Sequence, residues 1–99
     1  MQSPVGSELG TFKPRCLFVM IKGQLGKADS VAEYMADNIA ECDEIYSISG
    51  DYDILTRVIL TSSQDPGLFV TEVLQSVPGI ADTKTILAFN AFTPRQHPA

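Results

Sequence analysis

The sequence predicts a single α+β domain with the element order β-α-β-β-α-β, and three patterns predict it. Cys16-Leu17-Phe18-Val19-Met20-Ile21-Lys22 is apolar on both alternating faces, as a central strand must be. Ala28, Val31, Ala32, Met35 and Ile39 fall on one stripe of a helix. Two alternating runs, 43–49 and 53–61, meet at Gly50-Asp51-Tyr52-Asp53 and read as a β-hairpin whose loop is slightly longer than the tightest kind.

Taken in order, Leu25-Gly26-Lys27 turns the chain after the first strand. The first helix is expected at about 28–41, capped by Asp29 or the residues just before it, with Glu33, Asp37, Asn38 and Glu41 outward. The hairpin strands follow. Ser62-Ser63-Gln64-Asp65-Pro66 then reads as loop, N-cap and proline at the first helical position. Leu68-Phe69, Val73 and Leu74 give a second amphipathic helix at about 66–76, which Val77-Pro78-Gly79 stops. Ile80 to Phe89 makes the last strand. Residues 1–14, with Ser3, Pro4, Gly6, Ser7, Gly10 and Pro14, read as a flexible arm, and 93–99 as a tail, which leaves a folded domain at about 15–92. The order describes two split βαβ units: a ferredoxin-like four-stranded antiparallel sheet with two helices on one face.

Two helices cover one face only, yet two strands are apolar on both. Leu17, Val19 and Ile21 oppose Phe18 and Met20; Ile54, Val58 and Leu60 oppose Leu55 and Ile59. An uncovered face of that kind is a large apolar patch, rarely tolerated by a soluble monomer. Self-association through the helix-free faces resolves it, as an isologous homodimer. The alternative is that the termini fold back over the sheet. Arg57 is expected to lie with Leu55 and Ile59 and to reach a carboxylate at the interface.

Bulk properties narrow the function classes. At 99 residues the chain is one domain, able to bury roughly 60–65% of its unfolded surface. A hydrophobic content of 44% against 19% charged is that of a soluble globular protein, and no apolar run is long enough to span a bilayer. No secretory signal pattern opens the chain. Two cysteines fit a reducing, cytoplasmic compartment better than a disulfide scaffold. Net charge is −5, and the seven Lys and Arg are scattered without a basic stripe, which argues against direct nucleic-acid binding.

The hairpin turn is the most chemically suggestive stretch. Gly50 permits a positive φ and leaves amides open to an approaching group. Asp51, Asp53 and Tyr52 supply acceptors and an aromatic face suited to a small ligand with an ammonium group; the plainer reading is a solvated acidic turn. As a carboxylate pair for acid–base work, Asp51 and Asp53 lack a neighbouring nucleophile, and the one histidine, His97, is in the tail. Asp53 has a structural alternative, bonding hairpin amides, and Tyr52 another, interface packing. Cys16 and Cys42 lack metal-ligand spacing and read as small hydrophobes. Gly23-Gln24-Leu25-Gly26-Lys27 is too short for a dinucleotide fingerprint and reads as a turn. No catalytic residue, metal site or cofactor is expected.

With hairpin and element order together, the chain resembles the ligand-binding (RAM) domain of the Lrp/AsnC, or feast/famine, transcription regulators. The resemblance is carried by Phe18-Val19-Met20-Ile21, by Ser47-Ile48-Ser49-Gly50-Asp51-Tyr52-Asp53-Ile54-Leu55, and by Val77-Pro78-Gly79-Ile80-Ala81-Asp82-Thr83-Lys84-Thr85, and spans about 16–89. It implies a non-enzymatic module that pairs through its sheets, joins dimers into rings of four or five, and binds a free amino acid between neighbouring dimers. It further implies that Gly50, Asp51, Tyr52 and Asp53 line the pocket and that Thr83 and Thr85 reach toward the bound side chain, although strand-surface threonines need no such role. Residues 1–14 are too short for the family's helix-turn-helix, so the chain resembles the standalone form. A role in transcription would then run through co-assembly with full-length regulators. Three other readings compete. A dimeric α+β-barrel enzyme, monooxygenase- or isomerase-like, shares the topology, but Trp is absent and histidine is confined to the tail. An ACT-like sensor would carry an acid before the glycine of the first turn, and Gly23 to Lys27 offers none. A purely structural assembly needs no ligand at all.

Overall fold

A computed structural model describes residues 15–89, except the side chain of Arg15. The expected arm at 1–14, the tail at 93–99 and His97 lie outside the described residues. The strands are β1 (Arg15–Gly23), β2 (Cys42–Ser47), β3 (Ile54–Leu60) and β4 (Ile80–Leu87). Helix α1 (Ala28–Asn38) follows β1, and α2 (66–74) follows β3. The sheet order is β2-β3-β1-β4, antiparallel throughout, which is the predicted ferredoxin-like arrangement.

Register explains the core. Leu17, Val19 and Ile21 pair with Val58, Thr56 and Ile54, and all six side chains are buried beneath the helices. Against them pack Val31 and Met35 of α1, and Phe69, Val70 and Leu74 of α2. Among the described residues Thr56 is the one fully buried polar side chain of this layer, and its Oγ1 is satisfied by donating to the Glu44 carbonyl at 2.8 Å. That carbonyl lies at a β-bulge, where β2 carries an extra residue between Cys42 and Glu44.

The helices depart from the expected bounds. Helix α1 stops at Asn38 rather than 41, because Ile39 is already extended (φ −123°). Ile39 is nonetheless buried, so its side chain extends the apolar stripe past the point where the backbone leaves the helix. No side chain caps α1: Lys27 holds the N-cap position, and Asp29 lies in the first turn, where its charge favours the helix dipole. At α2 the expected cap is present, with Asp65 Oδ2 accepting from the Leu68 amide at 2.9 Å and Pro66 next. Only Pro66–Leu68 is α-helical; Phe69–Leu74 is a π-helix, with the Gln75 amide donating to the Val70 carbonyl at 2.8 Å. The Thr71 hydroxyl donates to the Gly67 carbonyl at 3.0 Å, competing for an acceptor that the α-helical ladder would use.

Candidate functional site

The loop joining β2 to β3 covers residues 48–53, and its corner is fastened to strands distant in sequence. The Ile48 amide donates to the Asp53 carbonyl (2.9 Å), closing the loop, and the Asp53 amide donates to the Ile21 carbonyl (2.9 Å). The Asp53 carboxylate accepts from the Gly23 amide at 2.8 Å. Its structural alternative is thus realised on a neighbouring strand, not on hairpin amides. Lys22 Nζ donates to the Asp51 carbonyl at 3.1 Å, and the Tyr52 hydroxyl lies 3.5 Å from the carboxylate of Asp82. Gly50 has φ +114°, a conformation that disfavours any side chain, and the space where a Cβ would project is open.

Beside this corner, Lys22, Gly23, Gln24, Leu25, Asp29 and Asp53 line an open cleft of about 440 Å³. A cationic ammonium and two carboxylates around one cleft can engage both ends of a zwitterion. Lys22, the Gly23 amide and Asp82 are neighbours of the corner that sequence reasoning missed, since they lie about 30 positions from the hairpin. The usable signal was the register: Lys22 pairs with Asp82, opposite charges on adjacent strands.

Thr83 and Thr85 share a face of β4, as their spacing requires. It is the helix-covered face: they pair with Ile21 and Val19, and Gln75 Nε2 donates to Thr83 Oγ1 at 3.0 Å. Strand β1 separates them from the hairpin strands. Thr85 lines a different recess, with Pro66, Val70 and Leu87.

The helix-free face carries Phe18 and Met20 of β1, Leu55 and Ile59 of β3, Tyr46 of β2 and Ile86 of β4. Tyr46 and Ile86 are 50% and 42% exposed, whereas the facing layer beneath the helices is almost sealed. Arg57 lies with Leu55 and Ile59 as expected, but its carboxylate is found in its own chain: Nη2 meets Asp43 Oδ2 at 2.6 Å, on the β2 bulge. Desolvation works against the guanidinium charge, and the bond and charge of Asp43, with Glu44, outweigh it and raise its pKa. Both cysteines are free and half-buried. Burial pushes the Cys42 thiol above its usual value, a bond with Thr56 pulls against this, and the charge of Glu41 adds to it. Among the described residues no cluster of three or more His, Cys, Asp or Glu is placed to hold a metal, and no helix is long and apolar enough to cross a membrane.

Comparison with known proteins agrees with this architecture. The profile of the Lrp/AsnC ligand binding domain matches residues 16–98. The HTH-type transcriptional regulator FL11 of Pyrococcus horikoshii is 30% identical over 70 residues, which are 71% of this chain and 45% of that protein. The chain thus spans about half the length of the curated relatives it matches. The crystal structure of FFRP-DM1 superposes with a TM-score of 0.70 at 28% identity, covering 76% of this chain and 99% of that one. A transcriptional regulator from Neisseria meningitidis, solved as a complex with L-Met, gives a TM-score of 0.70 over 98% of this chain and 61% of its own; at 15% identity this likeness concerns the fold alone. A profile match over residues 16–98, which span the whole four-stranded sheet and its hairpin, places this protein in the Lrp/AsnC ligand-binding domain family.

Proposed function

We propose that this domain is a non-enzymatic effector sensor of the cytoplasm, which binds a free amino acid at the hairpin corner and self-associates through its helix-free face. One observation supports the ligand site above the others: four hydrogen bonds to β1 and β4 hold the corner, and a cleft of mixed charge lies beside it. Asp53 and Tyr52 are occupied in holding the corner. The Asp51 carboxylate, exposed and outside those bonds, is the acceptor for the ligand's ammonium, and Lys22 lies near enough for its carboxylate. Gly50 lets the ligand approach the backbone closely. Thr83 and Thr85 contribute only if a neighbouring copy brings its β4 to this corner. The methionine bound by the meningococcal regulator supports amino acids as the first ligands to try.

The apolar helix-free face supports a homodimer, and membership of the family, not the face itself, supports rings of four or five such dimers. The curated relatives are longer regulators matched by this chain over about half their length, so co-assembly with such full-length regulators is the route by which this domain would act on transcription. A thermal-shift screen of the twenty amino acids tests the ligand reading. A ligand at 100 times its Kd stabilises the folded state by about 2.7 kcal/mol. A rise in Tm with at least one amino acid, lost in Asp51→Asn, is expected; no shift with any of the twenty would remove the reading.

A further inference from the structure

The cleft beside the hairpin corner carries more negative charge than a neutral amino acid would use. Lys22 is the one cation that lines it, against the carboxylates of Asp29 and Asp53, and Asp51 adds a third carboxylate at the adjoining corner. None of these four charges is neutralised by an ion pair among the described residues, where the one salt bridge, Arg57–Asp43, involves the helix-free face. Lys22 Nζ meets a carbonyl, that of Asp51, and Asp53 engages only its Oδ2, on the Gly23 amide. Asp29 has no side-chain hydrogen bond or ion pair among the described residues. Other charges nearby are turned elsewhere or engaged. Lys27 lies with its stem against Gly79 and does not line the cleft, and Lys84 pairs with Met20 on the helix-free face. Asp82 accepts from the Tyr52 hydroxyl and from the Thr83 amide.

Asp29 owes its place to a close approach of helix and strand. A Cβ at Gly23 would lie 3.1 Å from the backbone of Ala28, so the absence of one lets α1 start against the end of β1. The turn between them is fixed, with the Gln24 amide donating to the Gly79 carbonyl (2.7 Å) and the Lys27 amide to the Gln24 carbonyl (2.8 Å). The first turn of α1 thereby brings its carboxylate to the cleft that Lys22 and Asp53 line. An α-amino acid brings one ammonium for Asp51 and one carboxylate for Lys22. A neutral side chain would then shed water from Asp29 and Asp53 without offering them a partner, and an acidic one would meet like charge. A side-chain ammonium or guanidinium matches them. We infer that the effector is an amino acid with a cationic side chain, of the lysine, ornithine or arginine kind, and that Asp29 receives that cation, with Asp53 adding its charge to the same cleft. Leu25, Gly26 and Ala28 supply a wall for the methylene stem. This inference rests on the ligand reading proposed above and adds to it the class of effector.

Isothermal titration calorimetry on the full chain tests it, with L-lysine set against L-norleucine, whose side chain has the same four carbons and no ammonium. Lysine is expected to bind on the order of tenfold more tightly, the weight of one hydrogen bond between charged groups. That margin should shrink in added salt, because the cleft is open to water. Asp29→Asn is expected to bring the two ligands to near parity, whereas Asp51→Asn abolishes binding of both. Glu33→Gln, on α1 but outside the cleft, should leave the margin unchanged. Cadaverine, which is lysine without its carboxylate, is expected to bind more weakly than lysine. Norleucine or any neutral amino acid binding as well as lysine would overturn the inference and leave the amino-acid site standing. So would a preference for lysine that survives Asp29→Asn. Cadaverine binding as tightly as lysine would make the ligand a diamine and overturn it as well. Failure of all twenty amino acids to bind would remove the ligand reading and this inference with it.

Discussion

The two faces of the sheet are built from the same strands with similar residues, yet they stand in different physical situations. Under the helices, Leu17, Val19, Ile21, Ile54, Val58 and Leu60 are at most 2% exposed. On the other side, Phe18, Met20, Leu55 and Ile59 are half-buried, and Tyr46 and Ile86 stand about half in water. The first face is finished within one chain. The second carries no helix, and on the proposed reading that difference separates what stabilises the monomer from what assembles it.

A charge placed on each face breaks the comparison most sharply. Phe18→Asp buries a carboxylate in the pairing surface. It is expected to weaken self-association on the order of a thousandfold, about 4 kcal/mol, seen as a monomer in size-exclusion chromatography with light scattering. Its fold, read by circular dichroism, should persist. The covered face should respond in the opposite way. Leu17→Ala is expected to cost about 2–5 kcal/mol in urea unfolding, from lost transfer energy and the cavity left behind. If Phe18→Asp unfolded the chain while Leu17→Ala proved neutral, the assignment of the two faces would be reversed.

The hairpin corner belongs to neither face, and its two carboxylates sharpen the contrast between holding and sensing. Asp53→Ala removes an acceptor for the Gly23 amide and is expected to lower stability by about 1.5–3 kcal/mol, the range for a hydrogen bond to a charged group. Asp51→Asn touches no side-chain hydrogen bond among the described residues and should stay within about 0.5 kcal/mol of the parent, while abolishing the ligand-induced rise in Tm. Equal stability losses in the two variants would contradict this division of labour.

The smallest effect concerns the edge of the covered layer. The Cys42 thiol is raised above its ordinary 9.0, chiefly because burial penalises the thiolate. The unfolded chain therefore ionises first as pH rises, so the contribution is intact below 9.0 and declines as pH climbs through the raised value. Urea midpoints should fall across that window in the parent protein and fall less in Cys42→Ala.

Much of this was legible in the sequence because strand alternation is a local signal. Residues 16–22 and 54–60 declared both of their faces, so the open surface and the element order followed from period alone. The widening of α2 into a π-helix was not legible. Phe69, Val70, Val73 and Leu74 keep a pattern that an α-helix would also bury, and the Thr71–Gly67 bond acts on the backbone beneath it. The corner was legible only in part. Its loop residues stand together in the chain, but Lys22, the Gly23 amide and Asp82 reach it through register, which no short window contains. For the same reason Thr83 and Thr85 were correctly placed on one face, while which face was decided by the pairing of β4 with β1.

The central claim is that the helix-free face is completed by a second copy. Sedimentation equilibrium of the unmodified protein across a wide concentration range tests it most directly. The mass should stay at a dimer or a multiple of dimers until the highest dilutions. A constant mass near the 10.7 kDa of one chain at every concentration would contradict it.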